Sequence, residues 1–480
     1  MRRTIVALAL LVWGRCCISY ASPREGGEKS QNVNTVPDWR ATRPAPGPEP
    51  KAPSPVIERV ELENGLVLLI HQRHDVPTVM LRAVVPAGKT AQPAGKEGLA
   101  ALTVELCTQG SDKRDAPAVA DDAALLGGEL HAGASGDAAE ISLPALAATL
   151  PQALELLGDV LTHPAFRPAD VERTRAQMES RILERDDDPD ATLSDAAMAT
   201  AYGETHPYGG PALGTRESMA KLTRDDVMAF YRARYRPRGT ALVLVGDVTP
   251  ERARALVEAG PLGAWATGEA APITPGPPAK APPRGFVVVE RPGAAQSAIA
   301  FVLPTVGLRD PDAVPLQLAD ACLGGVFSSR LNLNLREAHG YSYGAGSTIL
   351  RARGPMVELG QTEVPTDVTL PAVGEIRAEL RRLAAAPPDA AELDLARAQL
   401  VHGIIGAFET TEEASRAIAD LFALGLPLDY YQRFAAEVAS TTPERVKQAL
   451  AAHLQADRAT IVIVGDGAAF EPDLAVHRIK

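Results

Sequence analysis

Zinc chemistry on a helix needs two imidazoles at i and i+4, because residues one turn apart aim their ligand atoms at a common point. The nine histidines of this 480-residue chain supply no such pair. His71 and His74 form an H-x-x-H at the end of a predicted strand, and no second pair has ligand spacing. Cysteine chemistry is equally thin. Of the four cysteines, Cys16 and Cys17 fall in an N-terminal leader, which leaves Cys107 and Cys322. These two lie in different halves, each within an apolar helical pattern, so free buried thiols are expected rather than a disulfide.

Charge excludes polyanionic partners. Charged residues make up 22% of the chain and the formal net charge is -12, with no Lys/Arg-rich block outside the first three residues. Nucleic acid and anionic lipid therefore meet no basic patch. Met1-Arg2-Arg3, the apolar run Ile5 to Trp13 and Ser19-Tyr20-Ala21 have the layout of a signal peptide over residues 1–21. The apolar run is too short to span a bilayer. A lipoprotein route through Cys16 or Cys17 is disfavoured by the bulky Arg15. Cleavage after Ala21 removes Arg2, Arg3 and Arg15 and no acid, taking the net charge from -12 to -15. The expectation is an acidic, exported protein, periplasmic or extracellular.

The elements that must position any site follow from composition and repetition. Residues 22–54 are rich in Pro, Gly, Ser and charge, a composition that cannot bury enough surface to offset ordering entropy and so reads as a tether. A second Pro-rich stretch, residues 269–285, separates two blocks, 55–268 and 286–480. The blocks repeat one another in register. Thr149-Leu150-Pro151 recurs as Thr369-Leu370-Pro371, and Arg175-Ala176-Gln177 as Arg397-Ala398-Gln399. Thr223-x-x-x-Val227 recurs as Thr442-x-x-x-Val446, and each block closes on a strand, Leu242 to Asp247 (LVLVGD) and Ile461 to Asp466 (IVIVGD).

Each unit reads as α+β. Val56 to Leu62, Val67 to His71 and Thr78 to Pro86 have strand character, the first two joined by Asn64-Gly65, a hairpin turn pair. Thr149 with Gln152 has capping-box spacing ahead of an apolar stripe at helical period, and another helix is predicted from about Pro168 to Leu183. Strands in runs followed by helices in runs favour two tandem homologous domains, each an antiparallel-dominated sheet with helices packed on one face.

At Glu97-Gly98-Leu99-Ala100 the sequence resembles the pitrilysin/insulinase-type metallopeptidases, which include insulin-degrading enzyme and mitochondrial processing peptidase. Supporting pieces are Glu63-Asn64-Gly65-Leu66, Gly127-Gly128, Asp187-Asp188-Pro189, His206-Pro207-Tyr208-Gly209 with Gly214-Thr215, Ser329-Arg330-Leu331 and Leu335-Arg336-Glu337. Gly340 and Tyr343 follow in their expected places. The resemblance runs from Val56 to Asp466 and implies a helix bearing H-x-x-E-H directly after Gly-Leu-Ala. Two histidines would bind Zn²⁺, the glutamate would activate a water, and a later glutamate would complete the site.

Laid on that pattern, Ala101 and Glu105 stand where the histidines belong, Val104 where the general base belongs and Arg181 at the third ligand. A methyl cannot coordinate, an isopropyl cannot take a proton, and a fixed cation repels the metal. The expectation is no catalytic residue and no metal bound by this chain. Glu105 and Arg181 either form an ion pair in the vacated site or both reach solvent.

Other features are retained. The resemblance assigns Arg336 and Tyr343 to a pair that binds the substrate backbone, a sensible use of a guanidinium fork and a phenol. The plainer alternative leaves Arg336 on a solvated helix end and Tyr343 packed in the sheet. Glu129 to Ala134, with His131 and Ala132, aligns with an edge strand beside which extended peptides add. In two-chain members one subunit carries the zinc and a degenerate one supplies the second wall. The chain fits the second role: a non-catalytic subunit whose partner binds zinc. The competing expectations are a peptide-binding or assembly scaffold without a peptidase partner, and a zinc peptidase in its own right.

Overall fold

Every residue of the closing strands in the two blocks is buried. A strand with no exposed face must be covered from both sides, and that requirement organises the molecule. The computed structural model describes residues 52–271 and 285–470 together with the backbone of one further strand at 476–479. The expected signal peptide, nearly all of the tether and most of the Pro-rich linker lie outside the described residues.

In the first half, β1 (Glu58–Glu61), β2 (Val67–Gln72), β3 (Thr78–Val85), β4 (His131–Ala134), β5 (Ala139–Leu146) and β6 (Ala241–Gly246) form a six-stranded sheet in the order β1-β2-β6-β3-β5-β4. In the second half, β7 (Phe286–Glu290), β8 (Gln296–Pro304), β9 (Ala345–Leu350), β10 (Val357–Pro365), β11 (Thr460–Gly465) and β12 (Val476–Ile479) repeat the plan in the order β12-β7-β11-β8-β10-β9. Among these strands β2 pairs in parallel with β6, and β7 with β11 and β12; the other pairings are antiparallel. The fold is the expected α+β pair of antiparallel-dominated sheets.

The repeated motifs have repeated causes. Thr223 and Thr442 each cap a helix, accepting the backbone N–H three residues on. The glycine that ends each closing strand is enforced by close approach. A Cβ at Gly246 would stand 2.1 Å from the Thr78 carbonyl oxygen, and one at Gly465 would stand 2.6 Å from Ser297 Oγ. One local expectation fails. Thr149 does not form a capping box with Gln152; its hydroxyl donates to the Leu146 carbonyl at 3.2 Å instead. The reason is local: a 3-10 turn, Ala147–Thr149, runs directly into the helix Leu150–Thr162 and occupies the capping position. The next helix, Pro168–Asp187, runs past Leu183 and stops where Asp188 turns extended and caps the helix Pro189–Tyr202.

Each sheet carries its own half's helices on one face, and a helix from the other half covers the opposite face. The helix Pro189–Tyr202 packs on β8 and β11, burying Leu193, Ala197 and Tyr202 against Val287, Ala300 and Val462. Reciprocally, the helix Thr411–Ala423 packs on β3 and β6, placing Ala414 and Ile418 in one core with Leu69, Val84 and Val243. Each buried aliphatic side chain adds about 1.5–3 kcal/mol. Arg82 of β3 reinforces the exchange. Its guanidinium donates to Glu140 at 2.8 Å within the half, and across it to Glu412 at 2.6 Å and Ser415 at 3.1 Å. The described residues 52–271 and 285–470 consequently form one compact unit. Among the described residues, no helix is long and apolar enough to cross a membrane.

Candidate functional site

The helix Leu99–Cys107 begins at Gly98, whose φ of 91° lies in the left-handed region. A Cβ there would stand 2.4 Å from the Leu213 carbonyl oxygen, so the Gly-Leu-Ala motif is locked against the 213–214 turn. Ser218 Oγ holds the same entry by donating to the Glu97 carbonyl at 2.9 Å. The helix packs against β4 and against the Pro168 helix, and so brings Glu105 to face Arg181.

Ala101 is 6% exposed and Val104 is 1% exposed, both within the first core. The Glu105 carboxylate lies 4.0 Å from Arg181 Nη1. That separation makes an ion pair without a hydrogen bond, and with the Arg181 side chain 54% exposed the pairing is loose. Burial raises the Glu105 carboxyl above its ordinary value, and the Arg181 charge only partly offsets this. One carboxylate, a methyl and an isopropyl opposite a guanidinium do not fit zinc, which needs three or four N, O or S ligands.

Other ligand-type residues have other partners. His71 Nδ1 lies 2.9 Å from the Val56 carbonyl, and His74 Nδ1 lies 2.7 Å from Asp247, so the H-x-x-H pair is divided. Asp310, Asp312 and His453 have ligand atoms close enough to share an ion. Arg445 already pairs with Asp312, and His453 Nε2 lies 2.8 Å from it. Burial opposes ionisation of Asp312, yet these two partners outweigh it and hold the carboxyl below its usual value. The cluster pins the helix Pro443–His453 to the start of the helix Ala313–Asp320.

β4 is the edge strand of the first sheet, bonded to β5 alone among the described strands. His131 is exposed, and Ala132 is half-buried against the core. This is the geometry strand addition requires.

In the second half, Arg336 sits in a short π-helical segment, Leu333–Ala338, a kind of irregularity often found at functional sites. Asn334 of the same segment is buried and donates to Glu375 at 2.9 Å and Glu379 at 2.6 Å, which fixes the segment on the helix Thr369–Ala385. Arg330 grips Glu392 with two hydrogen bonds, of 2.7 and 2.8 Å. So braced, the Arg336 guanidinium stands 4.6 Å from the centre of the Phe327 ring and 5.6 Å from that of Tyr343. Tyr343 is 94% exposed and does not pack in the sheet. It lines a cleft of about 830 Å³ with Asp188, Asp190, Gln361 and Glu363. Glu363 is raised above its ordinary value by burial and by the neighbouring carboxylates of Asp190 and Asp188.

The structure thus brings Glu105 to Arg181 and Arg336 to Tyr343, and sets His131 and Ala132 on the strand beside the Leu99 helix. Sequence reasoning did not single out Phe327; its signal is an aromatic residue in the Gly-rich turn just before Ser329-Arg330-Leu331.

Two family models match. That of insulinase (peptidase family M16) covers residues 67–216, and that of the peptidase M16 inactive domain covers residues 221–400. An uncharacterized zinc protease of Mycobacterium bovis is 27% identical over 309 residues, 64% of this chain and 70% of that protein. The probable mitochondrial-processing peptidase subunit beta of Schizosaccharomyces pombe is 28% identical over 204 residues, 42% of this chain and 44% of that protein. The crystal structure of a peptidase M16 inactive domain from Pseudomonas fluorescens superposes with a TM-score of 0.78 at 24% identity, covering 87% of this chain and all of that one. With both halves of the fold and the motif order accounted for, the chain belongs to the M16 peptidases, the pitrilysin/insulinase family.

Proposed function

We propose that this chain is the non-catalytic subunit of an exported, heterodimeric zinc metallopeptidase of the pitrilysin/insulinase type. It contributes a substrate-binding wall and the Arg336–Tyr343 pair to peptide cleavage by a partner that carries the zinc. The observation that carries the reading is the Glu105–Arg181 pairing, in the place where the family motif puts ligands, beside Ala101 and Val104, which offer none. Two further features support it. The Arg336–Tyr343 pair is braced, with Tyr343 lining an open cleft, and His131–Ala132 lie on a strand that is the sheet edge among the described residues, to which an extended peptide can add. One relative carries the printed name of a peptidase subunit, consistent with division of labour between chains. The leader at residues 1–21 supports export.

The test is a reconstitution. The chain is purified alone and with a family member that retains H-x-x-E-H, encoded nearby, and peptide cleavage is measured for each and for the mixture. Activity confined to the mixture and lowered by Arg336→Ala is expected. Full activity by this chain alone would refute the reading, and failure of any such chain to co-purify favours an assembly scaffold.

A further inference from the structure

The internal repeat gives the degenerate groove a counterpart in the second half, and that counterpart is a cavity. Arg175-Ala176-Gln177 and Arg397-Ala398-Gln399 occupy equivalent places in the Pro168 helix and in the helix Ala390–Ala407, so Arg181 corresponds to Gly403. Edge strand β9 takes the place of β4. The Ala313 helix and its π-helical continuation Ala321–Gly325 pack against β9 and the Ala390 helix, as the Leu99 helix packs against β4 and the Pro168 helix. Where Arg181 reaches toward Glu105 in the first half, the second half has bare backbone. A cavity of about 320 Å³ opens there, walled by Ile404, Tyr430, Tyr431 and Phe434.

Gly403 lines this cavity from the interior of a helix, a position where glycine costs about 0.5–1 kcal/mol relative to alanine. Beyond its chain neighbours and its own helix backbone, no heavy atom lies within 4 Å of where its Cβ would stand, so packing does not demand glycine; the space is open.

The cavity floor holds Asp320, which is 8% exposed. Ser347 Oγ of β9 donates to Asp320 Oδ1 at 2.6 Å, and no cation pairs with this carboxylate among the described residues. Burial pushes Asp320 above its ordinary value, and the adjacent Glu358 carboxyl is raised by its own burial and by Asp320. The one basic residue in the lining, Arg351, is exposed and acts on Tyr430, Tyr431 and Asp420 rather than pairing with Asp320. The same cavity is lined by Tyr430 and Phe434, whose rings stack at 5.8 Å, and by Tyr431, 5.5 Å from Tyr430. A buried carboxylate lacking a cation, in a cavity lined by aromatic rings, is the recognition chemistry of an organic ammonium ion.

We infer that this cavity binds a small organic amine, its ammonium group on Asp320 and its apolar body against Ile404, Tyr430 and Phe434. The site needs neither a partner chain nor zinc, so it stands apart from the peptidase-subunit reading.

Calorimetric titration of the full chain with 2-phenylethylamine, and with 2-phenylethanol as the neutral counterpart, tests it. The amine is expected to bind about ten- to hundredfold more tightly than the alcohol, the ratio a charge-assisted hydrogen bond provides. Asp320→Asn should erase that preference. Gly403→Leu should abolish amine binding while the chain stays folded, because leucine favours the helix interior and enters open space. Undiminished amine binding by Gly403→Leu, equal binding of amine and alcohol, or no amine binding by the unaltered chain would each overturn the inference.

Discussion

If the groove between the Leu99 and Pro168 helices is a metal site that has lost only its ligands, restoring them should restore binding. The perturbation is Ala101→His with Glu105→His and Arg181→Glu, set beside a twin that keeps Arg181. The 4.0 Å approach of Arg181 to Glu105 indicates that side chains from the two helices can meet at one ion. Two unit charges 4 Å apart interact by about 4 kcal/mol at the effective dielectric near a protein surface, so a guanidinium facing a divalent ion costs about 8 kcal/mol. Solvent screens the half-exposed Arg181, and halving the figure leaves about 4 kcal/mol, roughly a thousandfold in affinity. Competition against chelators of known strength, followed by metal analysis, should therefore rank the triple variant above the twin by at least about a thousandfold, because Arg181→Glu also adds a carboxylate ligand. The unaltered chain should stay at background. The reasoning fails if the unaltered chain retains stoichiometric zinc that Glu105→Gln removes, or if the twin binds as tightly as the triple variant.

Arg82→Met should destabilise the chain by about 3 kcal/mol, because it leaves Glu140 buried without its cation and cuts the tie to Glu412. Burial already raises Glu140, with Arg82 countering, so without Arg82 the carboxyl rises further. The loss should then be larger at pH 7 than at pH 4, where protonation relieves it; urea unfolding at both pH values checks this. Glu105→Gln removes an acid whose folded-state pKa is raised, an ionisation penalty absent below the ordinary carboxylate range and complete above the raised value. Its thermal midpoint should exceed that of the unaltered chain at pH 7 and match it at pH 4. Burial lifts both thiols, Cys322 to about 12 and Cys107 further, so neither should react with iodoacetamide at pH 8 until the chain is unfolded; mass spectrometry would detect an early adduct.

Much of this protein was legible in local pattern. The first three strands and the apolar stripe from Leu150 depend on neighbours within a few residues, and they formed where sequence reasoning placed them. The repeat told that the two halves would share one plan, and the residue types at 101, 104, 105 and 181 offer a single carboxylate as a possible ligand. Thr149 was misread because a cap is decided by the backbone path entering the helix, here a 3-10 turn that spacing alone does not reveal.

Tertiary structure decided the rest. The Pro189 and Thr411 helices each cover the other half's sheet, an outcome set by which long-range packing buries the second face of β6 and β11. Nothing in either helix names its distant partner. The looseness of the Glu105–Arg181 contact, the bracing of Arg336 by Asn334 and Phe327, and the cavity beside Gly403 depend in the same way on how separate helices converge. Sequence by itself determined which chemical groups the chain owns. Distances between groups far apart along the chain arise from packing, and so only the folded molecule could tell which of them meet.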